Sequence, residues 1–339
     1  MVSLKTIAEK CGVSTATVSK ALNDQKDVSE ETKHRIKKTA EALGYFPNAA
    51  ARALKTNRSY NIGVLFEEEA GSGLTHEYFS GVLNGLKVQG EKQGYDITFI
   101  NTCFENRKMS YYEHCRYRNF EGVAIVCADY NDPDVLELMN SDLPVVTIDY
   151  VHHNCTAVSS NNIQGIEDLV KYIYQQGHRK IAYIHGQENS YVTKDRLASF
   201  YRTMDELGLE VPDEYIRTAD YLETKEAARQ TRELLNLADV PTCIIYPDDT
   251  ALIGGRNVII EMGLRIPRDI SVAGYDGTRI SQLLHPKLTT IRQNTELIGS
   301  EAAKRLIGTI EKPRTTLVER VVIEGSLVPG QSVGKFLQK

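Results

Sequence analysis

Carboxylates stand just after three runs that read as β-strands: Asp149 after residues 145–148, Asp248 and its neighbour Asp249 after 244–246, and Asp276 after 272–275. In an open parallel α/β sheet, ligands bind outside the carboxyl ends of the strands, so these acids are placed to line one site. Arg196 adds a guanidinium, and such a charged ring suits paired hydrogen bonds to vicinal hydroxyls. Phe79 and Tyr221 supply flat faces for a sugar or a base. Each acid alone is equally well read as a helix cap; their agreement in position argues for a binding site.

A second cluster lies near the start of the chain. Ser14 reads as an N-cap, and the helix behind it turns Val18, Ala21 and Leu22 inward. Its other stripe, Thr15, Ala16, Ser19, Lys20 and Asn23, is short, polar and nearly free of acid, a surface able to enter a major groove. A preceding helix carries Ile7, Ala8 and Cys11 and stops at Gly12. A third, capped by Ser29, carries Ile36, Ala40 and Leu43 and stops at Gly44. Two helices joined by a tight glycine turn and braced by a third make a helix-turn-helix, although a plain three-helix cap has the same pattern. Asn48 then caps a helix over 49–55 that is too short to form undocked. With Arg52, Lys55 and Arg58 around an isolated Leu54, it reads as a minor-groove element with an apolar wedge; the alternative is an interdomain linker.

These clusters belong to differently charged parts of the chain. Residues 1–60 hold 11 Lys+Arg against 6 Asp+Glu, while residues 61–339 hold 29 against 39. That asymmetry fits a polyanion-binding head on an acidic body. The 339 residues, 41% hydrophobic and 25% charged, predict two or three domains and exclude a disordered, collagen-like or disulfide-scaffold chain. No apolar run approaches the roughly 18 residues of a membrane helix, and Met1 leads into polar sequence, so a cytoplasmic protein is expected. Six cysteines without a Cys-x-x-Cys pair read as reduced, buried thiols. The pair His152–His153 has no partner at metal spacing, so neither a metal nor a cofactor is expected.

From residue 61, β-rich runs alternate with helical patterns. Phe79, Val82, Leu83 and Leu86 recur at helical spacing in the first helix. Strands are predicted over 62–66, 96–101, 122–128 and 144–150, and a second series over 180–185, 215–218, 242–246 and 271–275. The fold class is therefore α/β: a three-helix head (1–46), a hinge helix and linker (47–60), and a two-lobed body of doubly wound parallel sheets (61–339) with a cleft between the lobes. Lobe one is expected over 61–158 and 293–325, lobe two over 159–292. Segments 288–293, 296–310 and 318–324 should cross back to complete lobe one.

The strings Leu4-Lys5-Thr6-Ile7-Ala8, Gly12-Val13-Ser14-Thr15-Ala16-Thr17-Val18-Ser19-Lys20-Ala21-Leu22-Asn23, Val28-Ser29-Glu30-Glu31-Thr32 and Gly44-Tyr45-Phe46-Pro47-Asn48 with Arg52 and Leu54 resemble the DNA-binding head and hinge of the LacI/GalR family of bacterial transcription regulators. Gly177-His178-Arg179-Lys180-Ile181, Arg196-Leu197-Ala198-Ser199-Phe200, Asp249-Thr250-Ala251-Leu252-Ile253-Gly254 and Gly274-Tyr275-Asp276-Gly277-Thr278 extend the resemblance through a periplasmic-binding-protein-like body. The resemblance implies that Thr15, Ala16 and Lys20 read bases. It implies that Ser14, Thr17, Ser19, Asn23, Ser29 and Thr32 touch phosphates or nearby backbone, and that Leu54, flanked by Arg52 and Lys55, inserts between central base pairs. It assigns effector binding to Phe79, Asp149, Arg196, Tyr221, Asp248 and Asp276. Two positions depart from the pattern: Glu67-Glu68-Glu69-Ala70-Gly71-Ser72-Gly73 replaces a short Pro/Asp loop, and Asp248 stands where Asn is common. An extra acid favours a polyhydroxyl or cationic effector over an anionic one.

The function expected is that of a repressor: a homodimer on a pseudo-palindromic operator, its DNA affinity set by a small-molecule effector, a sugar for preference, that closes the cleft. The chain ends without a leucine heptad, which favours a dimer. A bacterial, nucleoid-associated location follows. Gly-x-Gly-x-x-Gly after the first strand, a Walker loop and a Gly-x-Ser-x-Gly elbow are all missing, so an enzyme is not expected. The alternative, a solute-binding protein of a transport system, shares the body but has no use for the head.

Overall fold

The computed structural model describes residues 2–46, 53, 56, 58–67, 71–104 and 107–336. The chain divides into two compact units, Met1–Ser59 and Tyr60–Lys339. The predicted hinge residues Arg52, Leu54 and Lys55 lie outside the described residues.

The first unit holds α1 (Leu4–Cys11), α2 (Thr15–Leu22) and α3 (Glu30–Ala42). Ser3 and Thr6 form a capping box on α1, and Gly12 ends it at φ 63°, a left-handed turn that glycine adopts without steric cost. Ile7, Val18, Ala21 and Ile36 are completely buried, and Ala8, Cys11, Val28 and Ala40 nearly so, giving three short helices one shared core. None would be stable alone.

The second unit begins with β1 (Asn61–Phe66), α4 (Glu77–Lys92), β2 (Asp96–Phe99), the hairpin β3 (Cys103–Phe104) and β4 (Arg107–Lys108), α5 (Tyr111–Arg118), β5 (Gly122–Cys127), α6 (Pro133–Met139), β6 (Val145–Ile148) and β7 (Thr156–Ser160). There follow α7 (Asn162–Gln175), β8 (Ile181–His185), α8 (Tyr191–Glu206), β9 (Ile216–Thr218), α9 (Thr224–Leu235), β10 (Cys243–Ile245), α10 (Asp249–Glu261), β11 (Ser271–Ala273), α11 (Arg279–Leu283), β12 (Thr290–Arg292), α12 (Thr295–Glu311), β13 (Arg320–Ile323) and β14 (Ser326–Val328).

Two parallel sheets form, one of six strands in the order β13-β7-β6-β5-β1-β2 and one of four in the order β11-β10-β8-β9. A central strand such as β5 is a continuous apolar run because helices cover both faces of the sheet. The alternation of β and α along the chain thus yields the doubly wound lobes that it predicts.

Two details differ from the sequence expectation. Residues 156–160 form β7, a strand that was not expected there, and its Ala157 pairs with Arg320 of the distant β13. Segment 288–293 does not return to lobe one. Its β12 pairs antiparallel with β14, and Ile291 lies in the core of lobe two. The chain therefore passes between lobes three times, after β7, after β12 and after β13.

Candidate functional site

In the head, Ser14 Oγ accepts the Thr17 amide at 3.0 Å and sits 2.9 Å from the Thr17 hydroxyl, fixing the start of α2. Ser29 repeats this at α3, its hydroxyl 2.8 Å from that of Thr32. Behind these caps, Val18 and Ala21 face the core while Thr15, Ala16, Lys20 and Asn23 are exposed and Ser19 is half-buried. Two of the exposed residues are engaged within the head. Asn23 Nδ2 donates to the Ser19 carbonyl at 2.6 Å, and Lys20 is ion-paired with Asp27. Lys37 pairs similarly with Asp24 at 2.5 Å.

In the body, the strand-end acids separate into two kinds. Asp149 and Asp276 carry left-handed backbone, φ 53° and 92°, which aspartate adopts only at a cost of about 1–3 kcal/mol. Asp149 accepts the Tyr78 hydroxyl and the Ser160 amide, the latter at 3.2 Å. Asp276 accepts the Gln293 side-chain amide at 2.6 Å. Burial raises the carboxyls of both above the usual range, opposed at Asp149 chiefly by the Tyr78 hydrogen bond and at Asp276 chiefly by the Arg196 charge.

Asp248 and Asp249 are committed to structure. Asp248, 1% exposed, accepts the amides of Thr250 and Ala251 at 2.8 and 2.7 Å, capping α10, and the Leu222 amide at 2.8 Å. The helix-cap reading that the sequence leaves open is the one its geometry fits. Burial, with the charge of Asp276 next, pushes its carboxyl up to about 6. Asp249 is fully buried and accepts the Thr278 amide and hydroxyl at 2.8 and 2.9 Å; burial and then Asp276 push it up to about 8.

Arg196 lies on α8 and is 3% exposed. Its Nε donates to Asn162 Oδ1 at 2.8 Å and Nη1 to the Pro247 carbonyl at 3.1 Å, and its guanidinium lies 3.6 Å from the centre of the Tyr275 ring. Tyr221 is held through its hydroxyl, 2.8 Å from that of Thr193, and its charge environment includes both Arg196 and Asp276.

A cavity of about 360 Å³ lies between the lobes, lined by Tyr78, His76 and Glu77 of lobe one and Leu222, Glu223, Thr250, Asp276 and Thr278 of lobe two. The lobes touch at its rim, where Glu77 Oε1 accepts the Arg279 amide at 2.8 Å. Of the six residues expected to bind effector, only Asp276 lines this cavity. Asp149 stands one hydrogen bond behind Tyr78, and Phe79 packs against His76 and Phe66 at ring distances of 4.6 and 5.3 Å. The helical stripe read from the sequence, Phe79, Val82, Leu83 and Leu86, packs in the core of lobe one, and Tyr78, one residue before Phe79, lines the cavity.

Tyr78, Asn162, Tyr275, Glu77 and Gln293 were not singled out in the sequence. Asn162 stands two residues beyond β7, a strand of small and polar residues that gives no apolar run to mark it. Nothing local marks the others. Among the described residues no group of acids, histidines or cysteines is arranged to hold a metal ion.

Residues 3–48 match the family model for bacterial regulatory proteins of the lacI family, and residues 170–333 match that for a periplasmic binding protein-like domain. The HTH-type transcriptional repressor PurR of Mannheimia succiniciproducens is 30% identical over 341 residues, covering 99% of this chain and 100% of that protein. The lac repressor dimer bound to operator and the anti-inducer ONPF superposes with a TM-score of 0.82 at 25% identity, covering 98% and 99% of the two chains. A CelR–cellobiose complex gives 0.70 at 25% identity, covering 98% and 100%. Carrying the head and body in the same order, and aligned end to end with a repressor at that identity, the chain belongs to the lacI family of bacterial regulatory proteins.

Proposed function

We propose that this DNA-binding transcription regulator is a repressor that binds its operator as a homodimer through Thr15, Ala16 and Lys20 in the major groove. Ser14, Thr17, Ser19, Asn23, Ser29 and Thr32 contact the backbone, and Arg52, Leu54 and Lys55 act in the minor groove. The amides at the starts of α2 and α3 add partial positive charge beside the cap hydroxyls, a natural phosphate seat. The protein acts where the chromosome is, in the bacterial cytoplasm at the nucleoid. A small polyhydroxyl effector, a sugar for preference, occupies the interlobe cavity. Asp276 and Tyr78 meet it directly, and Asp149, Arg196 and Tyr221 hold the wall; Asp248 shapes the Leu222 loop and the start of α10.

The observation that carries this reading is the union, in one chain, of a recognition helix with an exposed polar face and an interlobe cavity whose two flanking acids have strained backbone. The solved relatives point the same way, one bound to operator and one to cellobiose. A solute-binding role would leave the head without purpose.

Selection of bound sequences from a random DNA library with the full chain tests it. A palindromic motif with two half-sites should be enriched, and binding to it should change on addition of one member of a sugar panel. No enriched motif would overturn the DNA reading, and a motif indifferent to every small metabolite would overturn effector control.

A further inference from the structure

The charges around the interlobe cavity are unbalanced. Glu77 reaches it from lobe one, and Glu223 and Asp276 from lobe two; among the described residues no lysine or arginine lines it. The nearest arginines face elsewhere: Arg279 and Arg292 line a neighbouring hollow, and Arg196 is held by Asn162, the Pro247 carbonyl and the Tyr275 ring. Among the described residues that line it, His76 alone can take up a positive charge. The two acids with hydrogen-bond donors in the cleft receive neutral ones, Glu77 the Arg279 amide and Asp276 the Gln293 amide; the buried Arg196 charge acts on Asp276 and leaves two carboxylates, Glu77 and Glu223, in excess.

Glu77, Glu223 and Asp276 line one cavity of about 360 Å³, and the charge of Glu77 acts on Asp276 across it. Closing an empty cleft therefore forces Glu77 against Glu223 and Asp276. A cation between them reverses the sign and makes closure favourable. The lining also contains a ring suited to a cation, because Tyr78 donates its hydroxyl to Asp149, which enriches its π face.

We propose that the effector carries a cationic amine on a polyhydroxyl frame, as an amino sugar does, and that Glu77, Glu223 and Asp276 receive the ammonium. This rests on the reading of the cavity as the effector site.

The test is calorimetric titration of the full chain with glucosamine, galactosamine and mannosamine. Comparison ligands are their N-acetyl forms, the parent sugars, the 6-phosphates, and spermidine as a cation without a sugar frame. At least one amino sugar should bind about tenfold more tightly than its N-acetyl and phosphorylated counterparts. That advantage should shrink in high salt and in Glu223→Gln and Glu77→Gln, both exposed positions where folding is not at risk. A neutral or phosphorylated sugar binding as well as its amine overturns the charge assignment and leaves the effector site standing. Spermidine binding without any sugar retains the charge assignment and removes the polyhydroxyl frame. No binding by amino sugars or spermidine overturns the proposal outright, as does an amine preference that both glutamine variants preserve.

Discussion

Asp249 is fully buried beneath the cleft, and its proton links the fold to pH. Its carboxyl, near 3.9 in an unfolded chain, is pushed up to about 8 by burial and by Asp276. The folded body thus binds that proton more tightly than the unfolded chain does, so its contribution to stability is full below about pH 4. It declines as pH rises to about 8 and is flat above. At ~1.4 kcal/mol per pH unit the swing amounts to a few kcal/mol. Thermal unfolding at pH 5 and pH 8 should show it, and Asp249→Asn should flatten the profile; an unaltered slope would assign the effect elsewhere. At the other end of the chain, Asp27 holds Lys20, a proposed base reader. Asp27→Asn should strengthen operator binding severalfold and steepen its salt dependence, because the ammonium is released toward DNA. Lower affinity in that variant would show that the pair orients Lys20 productively. The sequence places Asp149, Asp248 and Asp276 alike at strand ends. What separates them is the use of their lone pairs: Asp248 spends three hydrogen bonds on backbone amides supplied by Leu222, Thr250 and Ala251, one of them 26 residues away. Such accounting cannot be done before the loops are in place.

Among elements, the pairing of α4 with α12 depends on missing side chains. A Cβ on Gly299 would lie 1.9 Å from the Val82 carbonyl, and one on Gly85 would lie 2.1 Å from that of Glu296. Backbone meets backbone there, so Gly299→Ala should destabilise the body by about 1–3 kcal/mol. Gly308→Ala on the same helix meets nothing within 4 Å and should be neutral or slightly stabilising. Equal melting temperatures for the two variants would refute the close approach. Most elements are legible from periodicity and caps, including the three head helices with their serine caps. The exceptions have a common physical origin. Thr156–Ser160 is short and made of small and polar residues, and it becomes a strand because β6 and the distant β13 flank it. The phase of α4 is set the same way: Tyr78, Val82, Gly85 and Leu86 are buried because Gly81, Gly85 and Gly299 let α12 close on that side.

For the whole molecule, the triple passage between lobes decides what can be separated. The core of lobe one combines residues of β1 and α4 with Ile298, Ala302, Leu306 and Ile307 of α12, and that of lobe two takes in Val333 from beyond β14. Neither lobe is a continuous stretch, so the chain cut after residue 292 should leave residues 60–160 unfolded although nearly all of that sheet is present. Limited proteolysis checks this, and a protected fragment would show that lobe one folds without α12 and β13. The same threading has a consequence during synthesis. The head, complete by residue 46, can fold as soon as it leaves the ribosome, whereas Val82 and Leu86 stay uncovered until α12 follows more than 200 residues later. A nascent chain therefore exposes a basic, folded DNA-binding head long before it owns an effector site. In a bacterium translating beside its chromosome, such a chain can settle on DNA before it is able to respond to a metabolite.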